Sequence, residues 1–172
     1  MAKHSLRPHP HYPPGAIDAV EVDFIMTGRC SAELRFLVKG DGLSAPVRAV
    51  SKRADDLWKT TCFEAFLRVP GTEAYREWNF APSGEWAAYD FTTHRDGRTN
   101  PDVATPYIRV EDNFTWWAFG ATITVAARGA WEFGLSAVLE ETDGTKSYWA
   151  LAHPDGEKPD FHDAVCFAAH LP

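Results

Sequence analysis

No apolar run in this 172-residue chain approaches the roughly 20 residues that a membrane span needs. No apolar segment heads the chain as the core of a secretory signal would, so the expected location is cytoplasmic, or periplasmic or secreted if a leader was removed. Cysteine is scarce: Cys30, Cys62 and Cys166 are an odd set with no CxxC pair. That argues against a disulfide framework and a zinc knuckle and predicts reduced, mostly buried thiols. Positive charge is short as well. Lys and Arg number 17 against 24 Asp and Glu, a net charge of −7, so neither a nucleic acid nor an anionic membrane surface is an expected partner. No segment carries apolar residues at the helical spacing i, i+3, i+4, i+7. The GxSxG elbow, HExxH, the P-loop and GxGxxG are all missing.

Aromatic side chains are plentiful: Phe, Trp and Tyr make up 13% of the chain, and seven residues are Trp. Large aromatics supply core, and an excess of Trp raises the expectation of a stacking site. Hydrophobic residues at 45% and charged residues at 24% are ordinary for one globular domain of this length. Residues 1–15 hold four Pro and three His (His4, His9, His11). That density of Pro predicts a flexible, extended arm, with residues 16–172 as a single domain.

Alternation takes over at residue 17. IDAVEVDFIM (17–26) and SAELRFLVK (31–39) alternate apolar with polar residues on either side of Thr27-Gly28-Arg29, which predicts a hairpin. Residues 43–57 read as a polar loop. Strands at Cys62–Val69, Tyr75–Ala81 and Trp86–Phe91 are separated by Pro70-Gly71 and by Ala81-Pro82-Ser83-Gly84, which predicts a meander. Beyond the polar loop Thr92–Thr105, strands are expected at Tyr107–Glu111, Phe114–Ala127, Trp131–Leu139, Ser147–Ala152 and Phe161–Ala169. About nine or ten strands with no repeat period predict an all-β fold, an antiparallel β-sandwich with jelly-roll or immunoglobulin-like layering.

The candidate chemistry centres on Trp58 to Phe91, where one carboxylate, Glu64, interrupts a strongly apolar strand. Phe63 and Ala65 face the core, so Glu64 projects from the other face, a short way beyond Trp58. An aromatic face packs on the C–H face of a sugar, while carboxylate, amide and guanidinium groups bond its hydroxyls. Trp58 and Glu64, with Asn79, Asp90 and Arg95 on the same face or its rim, therefore predict a site for a small carbohydrate or polyol. The plainer alternatives are Trp58 as an edge residue capping the core, and Glu64 as a surface charge or a salt-bridge partner of Arg68. Glu64 with Glu77 or Asp90 is also the kind of carboxylate pair a glycosidase uses, although adjacent antiparallel strands produce such pairs by chance. In YWALAHPDGEKPDFH (148–162), Trp149 sits on a strand while His153, Asp160 and His162 bracket a loop. These three are weak metal candidates whose spacing matches no strong zinc pattern, and hydrogen bonds that brace the loop are the alternative.

DDLWKTTCFEAFLR (55–68), YREWNFAPSGEWAAYDF (75–91) and YWALAHPDGEKPDFH together resemble the DOMON-like superfamily, and within it the branch similar to family 9 carbohydrate-binding modules. The resemblance spans most of residues 17–172. It implies a β-sandwich that binds either a sugar or a haem, and the favoured reading is a non-catalytic module without a cofactor. In the sugar-binding branch two Trp rings sandwich the sugar, and a Glu on the strand after the first Trp bonds its hydroxyls. Trp58 and Glu64 match that pair in spacing, Trp149 is the candidate second ring, and Arg95 is a loose match for a hydroxyl-binding Arg. The haem branch implies axial ligation by Met with His or Lys, which here points to Met26 with His153 or His162. Met26 itself alternates onto the core face of its strand.

Overall fold

The computed structural model describes residues 2–45, 50–113, 115–125 and 130–171. Its strands are β1 (Ala2–Pro8), β2 (Ile17–Met26), β3 (Ser31–Gly40), β4 (Lys52–Arg53), β5 (Cys62–Arg68), β6 (Tyr75–Phe80), β7 (Glu85–Phe91), β8 (Tyr107–Asn113), β9 (Trp116–Thr124), β10 (Trp131–Glu140), β11 (Lys146–Ala150) and β12 (Ala169–Leu171). Short 3-10 turns occupy Leu57–Lys59 and Ala164–Cys166. The all-β class follows from the alternation, because a strand with one face in a core repeats its apolar residues with period two. The β2–β3 hairpin and the β5–β6–β7 meander form where that alternation is cleanest. Phe114 and part of the expected strand beyond Val125 lie outside the described residues.

The layering differs from a two-sheet sandwich. All twelve strands join one sheet in the order β4-β7-β6-β5-β10-β11-β1-β2-β3-β9-β8, with β12 beside β10. The pairs are antiparallel except β4 with β7. The sheet curls so that its halves face each other: Phe24 of β2 stacks on Phe133 of β10 at 4.8 Å, and Phe63 of β5 on Phe119 of β9 at 4.6 Å. The fold is a half-barrel closed over its own core, and strand β1 joins the two halves. Ala2–Leu6 pair with Phe24–Val20 of β2, and Arg7 and Pro8 pair with Ala150 and Trp149 of β11.

That joint corrects the expectation of a flexible arm over residues 1–15. All four Pro stand at position 8 or later, so residues 2–7 keep every amide donor and can enter a ladder. The Pro-rich remainder is held as well. Glu141, 3% exposed, accepts hydrogen bonds from Gly15 N at 2.8 Å and from Ala16 N. A second correction falls at the C-terminal end. Phe161–Ala169 is not a strand, because Asp163 accepts from Val165 N at 2.9 Å and starts a 3-10 turn. Only Ala169–Leu171 pair with β10.

Candidate functional site

The same alternation that fills the main core builds a second face. On β5, Phe63, Ala65 and Leu67 enter the main core, so Cys62, Glu64 and Phe66 point away from it. On β6, Trp78 and Phe80 enter it, whereas Tyr75, Glu77 and Asn79 point away. On β7, Trp86 and Ala88 enter it, leaving Tyr89 and Phe91 outside. A smaller apolar cluster covers part of this second face, with Phe167 packed against Phe66 and Tyr75, and Leu57 and Phe161 in the same cluster. Where that cover is incomplete, a cleft of about 660 Å³ opens, with Glu64 and Glu77 among its lining residues and Trp58, Arg95, Arg98 and Lys158 exposed at its rim.

Two loops supply the rim. The turn carrying Trp58 is anchored by buried Leu57 and leaves the Trp58 ring 51% exposed. The 92–105 loop supplies Arg95 and is tied down by paired hydrogen bonds between Asp90 and Thr99 and by Arg53 Nη1 donating to Pro101 O at 3.1 Å. At Gly97 an added Cβ would collide with Thr92, so that tight turn requires glycine. Asp56 (φ 63°) and Arg95 (φ 57°) are the two non-glycine residues with positive φ among the described residues, and both line the cleft. Such a conformation costs on the order of 1–3 kcal/mol and clusters at binding and catalytic sites. Asp160 latches the 92–105 loop to the C-terminal segment: its Oδ1 accepts from Arg95 Nη2 at 2.8 Å, and its Oδ2 lies 2.9 Å from His94 Nε2.

The floor is electrostatically unusual. Glu64 is 3% exposed and Glu77 5% exposed. Glu64 accepts from Ser136 Oγ at 2.9 Å, and Glu77 from Asn79 Nδ2 at 2.7 Å. The nearby guanidinium groups are engaged elsewhere: Arg68 pairs with Glu132 at 2.6 Å and Arg95 with Asp160. His162 Nε2 lies 3.8 Å from Glu77 Oε2, but burial, helped by the charge of Arg95, lowers the His162 pKa to about 3, so it is neutral. Tyr75 OH accepts from Arg95 N at 3.1 Å and stands 2.6 Å from His162 Nδ1. Tyr75 OH and His162 Nδ1 share one hydrogen bond, whose direction depends on the His162 tautomer. Burial raises both carboxyls far above their ordinary range, and the charge of Glu77 raises Glu64 further. Near neutral pH the pair retains a proton that exposed carboxyls would have lost.

The stability consequence has a definite sign. A carboxyl whose folded pKa is raised contributes stability that is present below its unfolded pKa and is lost as pH rises through the folded value. Glu64→Gln and Glu77→Gln each remove that loss. Each variant is expected to gain stability relative to the parent at about pH 8, on the order of 1–3 kcal/mol, and to gain much less at about pH 5. Urea unfolding at both pH values measures this, and an equal gain at the two would contradict it.

Trp58, Glu64, Glu77, Arg95 and His162 line one cleft, whereas Asn79, Asp90, Trp149, His153 and Asp160 do not. Trp149 is 2% exposed in the main core, where its Nε1 donates to Ser147 Oγ at 2.9 Å. It is not a second stacking ring, and its neighbour Tyr148 faces the cleft in its place. Asp90 lies on the opposite face of β7, paired with Arg76 at 2.6 Å. Asn79 supports Glu77 from behind and does not line the cleft. His153, Asp160 and His162 are engaged separately: His153 Nε2 donates to Arg7 O at 2.8 Å, Asp160 holds Arg95, and His162 meets Tyr75. Among the described residues no group of three or more His, Cys, Asp or Glu is placed to hold a metal ion. Met26 packs against the main core while His162 packs with Phe66 and Phe91 on the other face, so these two do not form an axial pair. Sequence reasoning missed Tyr12, Tyr148, Arg98 and Lys158 at the cleft. Tyr12 lies in the segment read as an arm, and the loop cations carry no periodic signal.

No protein-family model matches the chain, and no curated protein matches it in sequence. Solved structures do match in fold. A "putative carbohydrate-binding protein" from Bacteroides uniformis aligns over 96% of this chain and 83% of its own, at 17% identity and a TM-score of 0.67. A family 9 carbohydrate-binding module from Caldicellulosiruptor kristjanssonii, solved with cellotriose, aligns over 80% of this chain and 67% of its own, at 9% identity and a TM-score of 0.54. The curled sheet that carries the cleft is thus similar in fold to a family 9 carbohydrate-binding module.

Proposed function

We propose that the chain is a non-catalytic carbohydrate-binding module that takes a small saccharide in the cleft beside Trp58. The observation that carries this reading is a half-exposed indole lining the same cleft as two buried carboxyl groups that have no cationic partner at hydrogen-bond distance among the described residues. The ring offers a flat apolar face to the sugar's C–H face, and Glu64, Glu77 and Arg95 offer acceptors and donors to its hydroxyls. Trp149 is unavailable as an opposing ring. Tyr12 and Tyr148, which pack edge to face with centroids 4.9 Å apart, supply the aromatic surface elsewhere along the cleft. Similarity in fold to a module solved with cellotriose supports the same ligand class.

The test is titration of a panel of neutral mono- and oligosaccharides, followed by Trp fluorescence and calorimetry. Saturable binding by at least one of them is expected. A flat response to every saccharide tested, neutral or charged, would remove the reading.

A further inference from the structure

Acidic groups lie at the floor of the cleft and basic groups at its rim, and depth separates them. Glu64 and Glu77 are both more than nine-tenths buried and line the cleft. Glu64 sits opposite Asn79 on the neighbouring strand, so Glu77, two residues away, is its diagonal neighbour on the same face. Among the described residues, every group at hydrogen-bond distance from the pair is uncharged: the Ser136 hydroxyl from β10 and the Asn79 amide from β6. Around this face Asp55 accepts from Tyr89, Asp56 pairs with Lys59 and Asp160 with Arg95, and the other titratable groups buried in it are neutral. Burial raises Cys62 and Tyr75 and lowers His162. Arg95, Arg98 and Lys158 stand at the exposed rim, with Arg95 committed to Asp160 and Arg98 lying over the Tyr89 ring at 4.8 Å. Two buried carboxyl groups with no cation in contact among the described residues are an unfavourable arrangement when ionised, and a cation brought by a ligand relieves it. Aromatic faces along the walls also favour a cation at this depth.

We propose that the cleft is selective for a cationic amino sugar, its ring stacked on Trp58 and its ammonium held by the carboxylates of Glu64 and Glu77. This deepens the carbohydrate-binding reading and rests on it. An ammonium brings three donors and no acceptor, which suits acceptors left open on two carboxylates. Holding an ammonium there requires ionised carboxylates, which burial otherwise keeps protonated near neutral pH, so binding releases protons to the buffer.

The experiment is calorimetry on the full chain with glucosamine, N-acetylglucosamine and glucose, each as the monomer and the β-1,4-linked trimer. It is run at about pH 6.5, below the ~7.7–8.0 range of an amine with electron-withdrawing neighbours. Glucosamine forms are expected to bind at least about tenfold more tightly than the uncharged ones, with a heat that varies with the ionisation enthalpy of the buffer. In Glu64→Gln and Glu77→Gln, which keep the side-chain shape, that preference is expected to collapse towards one. If a neutral sugar binds and glucosamine binds no better, the inference is overturned while the carbohydrate-binding reading stands. If no saccharide binds here or in the wider neutral panel, both fall.

Discussion

Trp58→Ala is expected to abolish measurable saccharide binding and leave the fold intact. The indole is 51% exposed, so its removal leaves no cavity in the main core. Its helical-turn neighbour Leu57 is buried and holds the loop in place without it. Central aromatic anchors in binding sites cost on the order of 2–4 kcal/mol when truncated, roughly 30- to 1,000-fold in affinity. Calorimetric titration of the best-binding saccharide against parent and variant measures the loss, and thermal unfolding serves as the control. Unchanged affinity would show that the ring does not stack on the ligand. A melting temperature lowered in step with affinity would make Trp58 a cover for the smaller apolar cluster and not a recognition group.

The largest stability effect is expected from Trp78→Ala. Trp78 is fully buried and stacks on Phe80 at 6.0 Å with an interplanar angle of 8°, while Trp86 lies 6.1 Å away. Truncating a core Trp removes burial energy and leaves a void, together about 3–5 kcal/mol, or roughly 6–20 °C in melting temperature for a domain of this size. Trp78→Phe separates packing from polarity. It keeps an aromatic ring in the stack and removes a buried indole N–H that has no partner, so its loss is expected to be much smaller. Equal losses for the two variants in thermal and urea unfolding would show that ring packing is not what Trp78 contributes. Trp78 is on the core face of the strand that carries Glu77, so Trp78→Ala is also expected to loosen the cleft floor.

The legible parts of the fold are those in which one face is buried and the other is not. The β2–β3 hairpin is an example: Val20, Val22 and Phe24 are buried while Glu21 and Asp23 are partly open. Where both faces are apolar, parity is ambiguous. On β11, Tyr148 and Trp149 are adjacent aromatics, and either could face the cleft. Pairing of Val138 with Tyr148 and of Ala137 with Trp149 decides which one does, because a slip of one residue exchanges the two faces. Tyr89 and Asp90 on β7 pose the same problem, and the register with Glu77 and Arg76 resolves it. β1 was hidden by the Pro residues that follow it, and β4 by its length of two residues.

The sequence by itself determined the all-β class, the meander that forms the cleft floor, and the placing of Trp58, Glu64 and Arg95 as candidates, because period-two patterning and loop composition are local properties. Tertiary structure decided the rest. One curled sheet forms in place of two separate ones because β1 pairs with both β2 and β11. Trp149 belongs to the core and Tyr148 to the cleft because of long-range register. Glu64 and Glu77 are buried together without a cation among the described residues, since Arg68 and Arg95 find Glu132 and Asp160, on segments remote in sequence. Burial and choice of ionic partner depend on which segments meet, and no local pattern encodes that.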